Sequence, residues 1–242
     1  MACSKAASRP AGASSLATGF HQLTCQRTAE KCYIVEGSVL TALRQESALE
    51  LALLNGSWLN EPKIYTPTET TLELLTDKET DFWRETYYGF THDSGHFLGL
   101  EAPSRFTCQF RIRGTFEALY DQAGIMVRIN ERQWVKAGIE LSDGHAMLSS
   151  VLTDGKSDWV TSPYTADPTD FWMRATVADG VLRLQVSSDG SHWPLVRLCP
   201  FPVAPNYRVG PMACSPKRGG LKVLFSDWTL GPALGKDLHD LS

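Results

Sequence analysis

From about residue 56 to residue 231, apolar and polar residues alternate along most of the chain, which is the period of a half-buried β-strand rather than of a helix. Ile125, Val127 and Ile129 fall on one face of such a run, and Val135, Ala137, Ile139 and Leu141 on one face of the next. A tight turn at 131 and 132, or a four-residue loop at 130 to 133, would pair Ile129 with Trp134 and set an apolar face beside a polar one. A connection of odd length brings the apolar faces together. Arg128 then lies beside Trp134 and Gln122 beside Glu140, or the register moves by two and Arg128 lies beside Lys136. Either way the opposite face collects Gln122, Met126, Arg128, Trp134, Lys136 and Glu140. Residues 82–90 alternate as well and read as a further strand.

The same pattern predicts strands at 72–76, 82–90, 96–100, 106–116, 123–130, 134–141, 145–153, 171–178, 181–187, 194–198, 207–213 and 221–230. Asp143-Gly144, Asp154-Gly155, Asp179-Gly180 and Asp189-Gly190 each separate strand-like runs and mark hairpins. About a dozen antiparallel strands make an all-β jelly-roll sandwich, two sheets stacked about 10 Å apart. It forms one domain over residues 51–232. Before it, residues 1–50 read as an N-terminal extension. Its first 29 residues carry Lys5, Arg9 and Arg27 but no acid, a composition shared by disordered leaders and transit peptides, and they lack a convincing Arg-rich amphipathic helix. Residues 38–54 are leucine-rich among helix formers and predict one or two helical turns. Residues 233–242 read as a frayed tail.

Composition narrows the function classes. The formal net charge is -4, with acids and bases interspersed, so no basic stripe points to nucleic acid. The longest apolar stretch, 48–54 apart from Glu50, falls far short of the roughly 20 residues of a membrane helix. A soluble, cytoplasmic protein is expected. Six cysteines are spread along the chain without a C-x-x-C pair, which predicts reduced thiols rather than staples or a zinc knuckle. Asn55-Gly56-Ser57 matches a glycosylation sequon, which would matter only in a secreted chain.

Several segments occur together in order: Phe82-Trp83-Arg84 with Tyr88-Gly89-Phe90, Gly95-His96-Phe97, residues 120–124, residues 134–140, Ser157-Asp158-Trp159, and residues 188–193. Together they resemble the regulation-of-enolase group, a domain family of largely unknown function, over roughly residues 57–230. The resemblance implies a concanavalin A-like lectin/glucanase fold and supplies no catalytic residues. It also implies a regulatory role exerted through a protein partner, with enolase as the first candidate. His92 departs from the family pattern.

Candidate chemistry is sparse. Glucanases of this superfamily carry alternating carboxylates on a rigid strand, because a nucleophile and an acid must flank the glycosidic bond. Asp77-Lys78-Glu79-Thr80-Asp81 alternates acids, but in a stretch that reads as a solvated loop and in a different order. His92 and His96 flank an apparent turn in which Asp-Ser-Gly has a sufficient conformational explanation, so no metal site is assigned. No nucleophile elbow, phosphate loop or dinucleotide fingerprint is present, and no cofactor or catalytic residue is assigned. Trp83, Trp159, Trp172, Trp193 and Trp228 read as core or rim packing. Two readings result. The first is a non-enzymatic regulatory module acting through protein contact. The second is a carbohydrate-binding or glycosidase-related protein using Gln122, Arg128, Trp134, Lys136 and Glu140, in which Trp134 is exposed to stack on a sugar ring.

Overall fold

In a computed structural model the structure describes residues 53–242. The expected extension 1–50 and residues 38–52 of the expected helix lie outside the described residues. Leu53–Asn55 forms a single 3-10 turn. Sixteen strands follow: β1 (Ser57–Leu59), β2 (Ile64–Pro67), β3 (Leu72–Leu75), β4 (Phe82–Arg84), β5 (Thr91–Asp93), β6 (His96–Pro103), β7 (Phe106–Gly114), β8 (Gln122–Asn130), β9 (Gln133–Ser142), β10 (His145–Asp154), β11 (Lys156–Pro163), β12 (Asp170–Ala178), β13 (Val181–Ser187), β14 (Leu195–Pro200), β15 (Asn206–Cys214) and β16 (Lys222–Gly231). The first sheet has the order β1-β6-β15-β8-β9-β10-β11 and the second β14-β13-β12-β7-β16-β3-β2, while β4 and β5 form a separate two-stranded ribbon.

Alternation explains the layers. Ile125, Val127, Val135, Ala137 and Ile139 of the first sheet meet Phe106, Phe110, Phe171, Met173, Val223 and Phe225 of the second in one closed core. Asp143-Gly144 and Asp179-Gly180 hold φ of 50° and 79°, and of 52° and 77°, the double left-handed geometry of tight hairpin turns. The β8–β9 register follows one of the two expected alternatives, with Gln122 opposite Glu140 and Arg128 opposite Trp134. The turn itself is tight, at Glu131-Arg132, with Asn130 opposite Gln133. The odd residue needed to align the apolar faces is supplied instead by a bulge at Ile129, between those two pairings.

Three expectations change. Residues 82–90 are not one strand: the chain leaves β4 after Arg84, passes Glu85, Tyr87 and Gly89 at φ of 59°, 63° and 74°, and returns as β5. The Glu85 N–H donates to the Phe90 carbonyl and the Gly89 N–H to that of Glu85, closing a compact aromatic tip. Strands β1, β2 and β11 were not expected, because their polar or proline-containing sequences belong to sheet edges and carry little alternation. The tail read as frayed lies against the second sheet: Leu234 N–H donates to Thr107 Oγ1 at 2.9 Å, Arg183 Nη1 to the Lys236 carbonyl at 3.1 Å, and Trp193 N–H to that of Leu241 at 2.7 Å. Cys108, Cys199 and Cys214 are free and buried, while Cys3, Cys25 and Cys32 lie outside the described residues.

Candidate functional site

The first sheet buries one face in the core and turns the other outward, and the period of two sends Gln122, Met126, Arg128, Trp134, Lys136 and Glu140 to that outer side. The β4–β5 ribbon straps across it. Phe82 and Trp83 of the ribbon pack with Phe97, Met126, Trp134, Val151, Met212 and Cys214 into a second apolar cluster. Two ion pairs clamp the open end of the ribbon. Asp93 accepts from Arg128 Nη1 and Nη2 at 2.8 Å each, and Asp81 Oδ1 accepts from Lys136 Nζ at 3.0 Å. The other side of the ribbon is tied to the β10–β11 turn, where Arg84 donates through its N–H to Ser157 Oγ and through Nε to the Gly155 carbonyl.

This arrangement corrects part of the expected ligand face. Trp134 is 0% exposed, its ring centroid 6.0 Å from that of Phe82, so it cannot stack on a ligand. Its indole Nε1 has no hydrogen-bond partner. Arg128 is consumed by Asp93 beneath the ribbon. The apolar ribbon needs an apolar seat, and Trp134 and Met126 supply it.

Beside the strap, the outer face remains open as a cavity of about 510 Å³. Gln122, Lys136 and Glu140 reach it from the sheet. Trp83, Tyr88, Phe90 and His92 wall it from the ribbon, Trp159 from β11, and Tyr120 and Lys217 from flanking loops. The pocket therefore receives three of the five residues expected from sequence and excludes two. Directly between the Gln122–Glu140 and Met126–Lys136 rows, Gly124 faces Gly138. A Cβ on Gly138 would stand 2.0 Å from the Ala123 carbonyl oxygen, so the strands can approach this closely only at glycine, and β8 and β9 carry no side chain between the two rows.

The aromatic wall is continuous. Trp159 and Trp83 meet edge to face at 6.4 Å, Trp83 and Tyr88 at 5.9 Å, Tyr88 and Phe90 stack at 5.2 Å, and Phe90 lies 4.7 Å from His92. Trp159 is 39% exposed, and its Nε1 donates to Ser149 Oγ at 3.0 Å, which in turn donates to Glu140 Oε2 at 2.9 Å. That relay fixes the indole plane and orients the carboxylate.

Charge within the pocket is uneven. Burial pushes the Glu140 carboxyl above its ordinary range, and the nearby Lys136 ammonium and the Ser149 hydroxyl offset that only in part. Burial alone would push Lys136 down, but Asp81, Cys214 and Glu140 together outweigh it and hold the ammonium above its usual value. Burial likewise raises the Tyr120 phenol.

Asp81, Ser149, Trp159 and the aromatic tip were not among the expected ligand residues. Of the acidic stretch 77–81, expected as a solvated loop, Glu79 and Asp81 both border the pocket, and only Asp81 is tied to the sheet through Lys136. Glu79 is exposed and pairs with Lys78 at 3.1 Å, whereas Asp77 gives its N–H to His96 Nε2 at 2.9 Å. His96 also bonds the Asn60 carbonyl through Nδ1 at 2.7 Å, so both of its ring nitrogens are engaged by the backbone while His92 faces the cavity. Among the described residues no three His, Cys, Asp or Glu side chains converge as a metal site.

Two stacked antiparallel sheets, with a blind pocket on the outside of one of them, define a jelly-roll sandwich of the concanavalin A-like class. The chain belongs to the family described as "Protein of unknown function (DUF1349)", which matches residues 58–233. "Regulation of enolase protein 1" of Saccharomyces cerevisiae is 64% identical over 190 residues, covering 78% of this chain and 96% of that protein. A solved structure of a functionally unknown protein from Saccharomyces cerevisiae is 63% identical, with a TM-score of 0.75, over 76% of this chain and 100% of that one. The GH43 protein BlXynB of Bacillus licheniformis, in a mutant form, shares the fold at 14% identity and a TM-score of 0.57, covering 74% of this chain and 37% of that one.

Proposed function

We propose that this chain is a non-enzymatic binding module of a regulatory kind, and that its ligand is a hydroxyl-rich small molecule of carbohydrate type held in the pocket beside the β4–β5 ribbon. The observation that carries this reading is the pocket's composition: an aromatic wall of Trp83, Tyr88, Phe90 and Trp159 stands over a floor bearing Gln122, Lys136 and Glu140. Aromatic faces cover the apolar side of a sugar ring, and an ammonium, an amide and a carboxylate supply donors and acceptors to its hydroxyls. Because the ribbon crosses the sheet and closes one end of the outer face, the site suits a single ring or the end of a chain better than the middle of one. A thermal-shift screen of the purified protein against mono- and oligosaccharides tests it. A ligand at 100 times its dissociation constant adds about 2.7 kcal/mol to stability. A saturable shift that disappears in Trp159→Ala supports the reading, and no shift across the panel overturns it.

A second reading is regulation of a metabolic enzyme, with enolase first, by direct protein contact. It is favoured by the name of the relative that is 64% identical. The exposed tip, where Tyr87, Tyr88 and Phe90 are 93%, 52% and 42% accessible, is the apolar surface that such a contact would use. Titration of purified enolase into the protein tests it, with Tyr87→Ser and Tyr88→Ser together expected to abolish a complex.

A further inference from the structure

Glu140 occupies an unusual position for a buried carboxylate. It is 4% exposed, and its only hydrogen-bond partner among the described residues is the Ser149 hydroxyl on Oε2. No lysine, arginine or histidine nitrogen among the described residues lies within 4.0 Å of it. The nearest candidate, Lys136, gives its hydrogen bond to Asp81. The three ionisable groups at the floor therefore comprise two acids and one base, and with Glu140 ionised they sum to -1. A buried charge left in this state is costly unless something donates to it. The carboxylate nonetheless faces a cavity walled on the ribbon side and at β11 by Trp83, Tyr88, Phe90 and Trp159, ring faces of the kind that attract a cation, with the exposed Lys217 and Glu79 side chains also on its lining.

We infer that the ligand is a hydroxylated ring carrying a protonated amine, with the ammonium on Glu140 and the ring against Trp159 and the aromatic tip; this rests on the pocket reading above. The ammonium supplies both the hydrogen-bond donors and the positive charge that the floor lacks, whereas a neutral sugar supplies only the donors. Asp81 competes less for it, because its charge is already paired with the Lys136 ammonium on Oδ1. Ser149, itself held by Trp159, keeps one oxygen of Glu140 occupied and directs the other to the ligand.

Matched trios separate the charge from the ring. Glucosamine, glucose and N-acetylglucosamine, with the corresponding galactose and mannose trios, are titrated calorimetrically into the purified full chain at pH 6.5 and low ionic strength. For at least one trio the free amine should bind about tenfold more tightly than both the alcohol and the acetamide, in line with a charge-assisted hydrogen bond. In Glu140→Gln the ratio of amine to alcohol affinity should fall below about threefold, whatever the change in the alcohol's own affinity. If alcohols bind as tightly as amines to the wild-type protein, this inference is overturned and the carbohydrate pocket stands. A preference that survives Glu140→Gln overturns the assignment to Glu140. If no member of any trio binds, both readings fall. The wild-type comparison needs no variant, so it holds even if the substitution impairs folding.

Discussion

The Asp93 carboxylate takes two parallel hydrogen bonds from the Arg128 guanidinium, and this pair fixes one leg of the β4–β5 ribbon over the first sheet. Asp81 and Lys136 fix the other leg. Since Phe82 lies opposite Asp93 in the ribbon, both pairs sit at its open end and leave the aromatic tip to wall the pocket. Binding geometry is therefore coupled to two ion pairs that touch no ligand in the case of Asp93–Arg128.

Removing one partner of that pair strands a charge. Arg128 is 7% exposed in its side chain and Asp93 34%, so Asp93→Ala should cost about 2 kcal/mol, less than a fully enclosed pair because solvent reaches the carboxylate. Urea unfolding of the wild type, Asp93→Ala, Arg128→Met and the double variant checks it, with the double variant expected to recover part of the loss.

Trp134 serves the strap and not a ligand. Trp134→Ala should destabilise by about 3–5 kcal/mol through the cavity left under Phe82. Trp134→Phe, which removes the unpartnered Nε1 while keeping an aromatic ring, should cost much less and leave ligand affinity within about twofold. Chemical denaturation paired with ligand titration distinguishes the two effects.

Trp159 reverses that pattern. Being 39% exposed, it should tolerate Trp159→Ala with a loss of about 1 kcal/mol or less, yet lose affinity for any ring that stacks in the pocket at least about tenfold. Calorimetry on the folded variant measures the second quantity independently of the first.

Glu140 gives a pH signature. Its carboxyl is raised by burial in the native state, so the native protein binds the proton more tightly than the unfolded chain does. Its contribution is then most favourable at low pH and declines as pH rises from the unfolded value through the native one. Glu140→Gln removes that decline. The variant should melt higher than the wild type at pH 8, and the gap should narrow toward acid pH; melting temperature against pH for both proteins checks it.

Much of this architecture was legible locally. The alternation through residues 122–130 and 133–142 is a property of adjacent residues, and a period of two leaves only one way to divide Gln122, Lys136 and Glu140 from Ile125, Val135 and Ile139. The turns at Asp143-Gly144 and Asp179-Gly180 were equally plain, since few other residue pairs accept two consecutive positive φ values. Strands β1, β2 and β11 were harder, because edge strands bury too little to impose a pattern.

The sequence by itself therefore determined the sandwich and which side chains share its outer face. Only the tertiary structure decided which of them a ligand can reach. Residues 81–93 fold back over strands that lie dozens of positions later, bury Trp134, engage Arg128 and Lys136, and leave Glu140 beside Trp159 in an open pocket. Alternation is set by the strand's own geometry. What covers a strand is set by contacts between distant segments, which leave no periodic mark on either one.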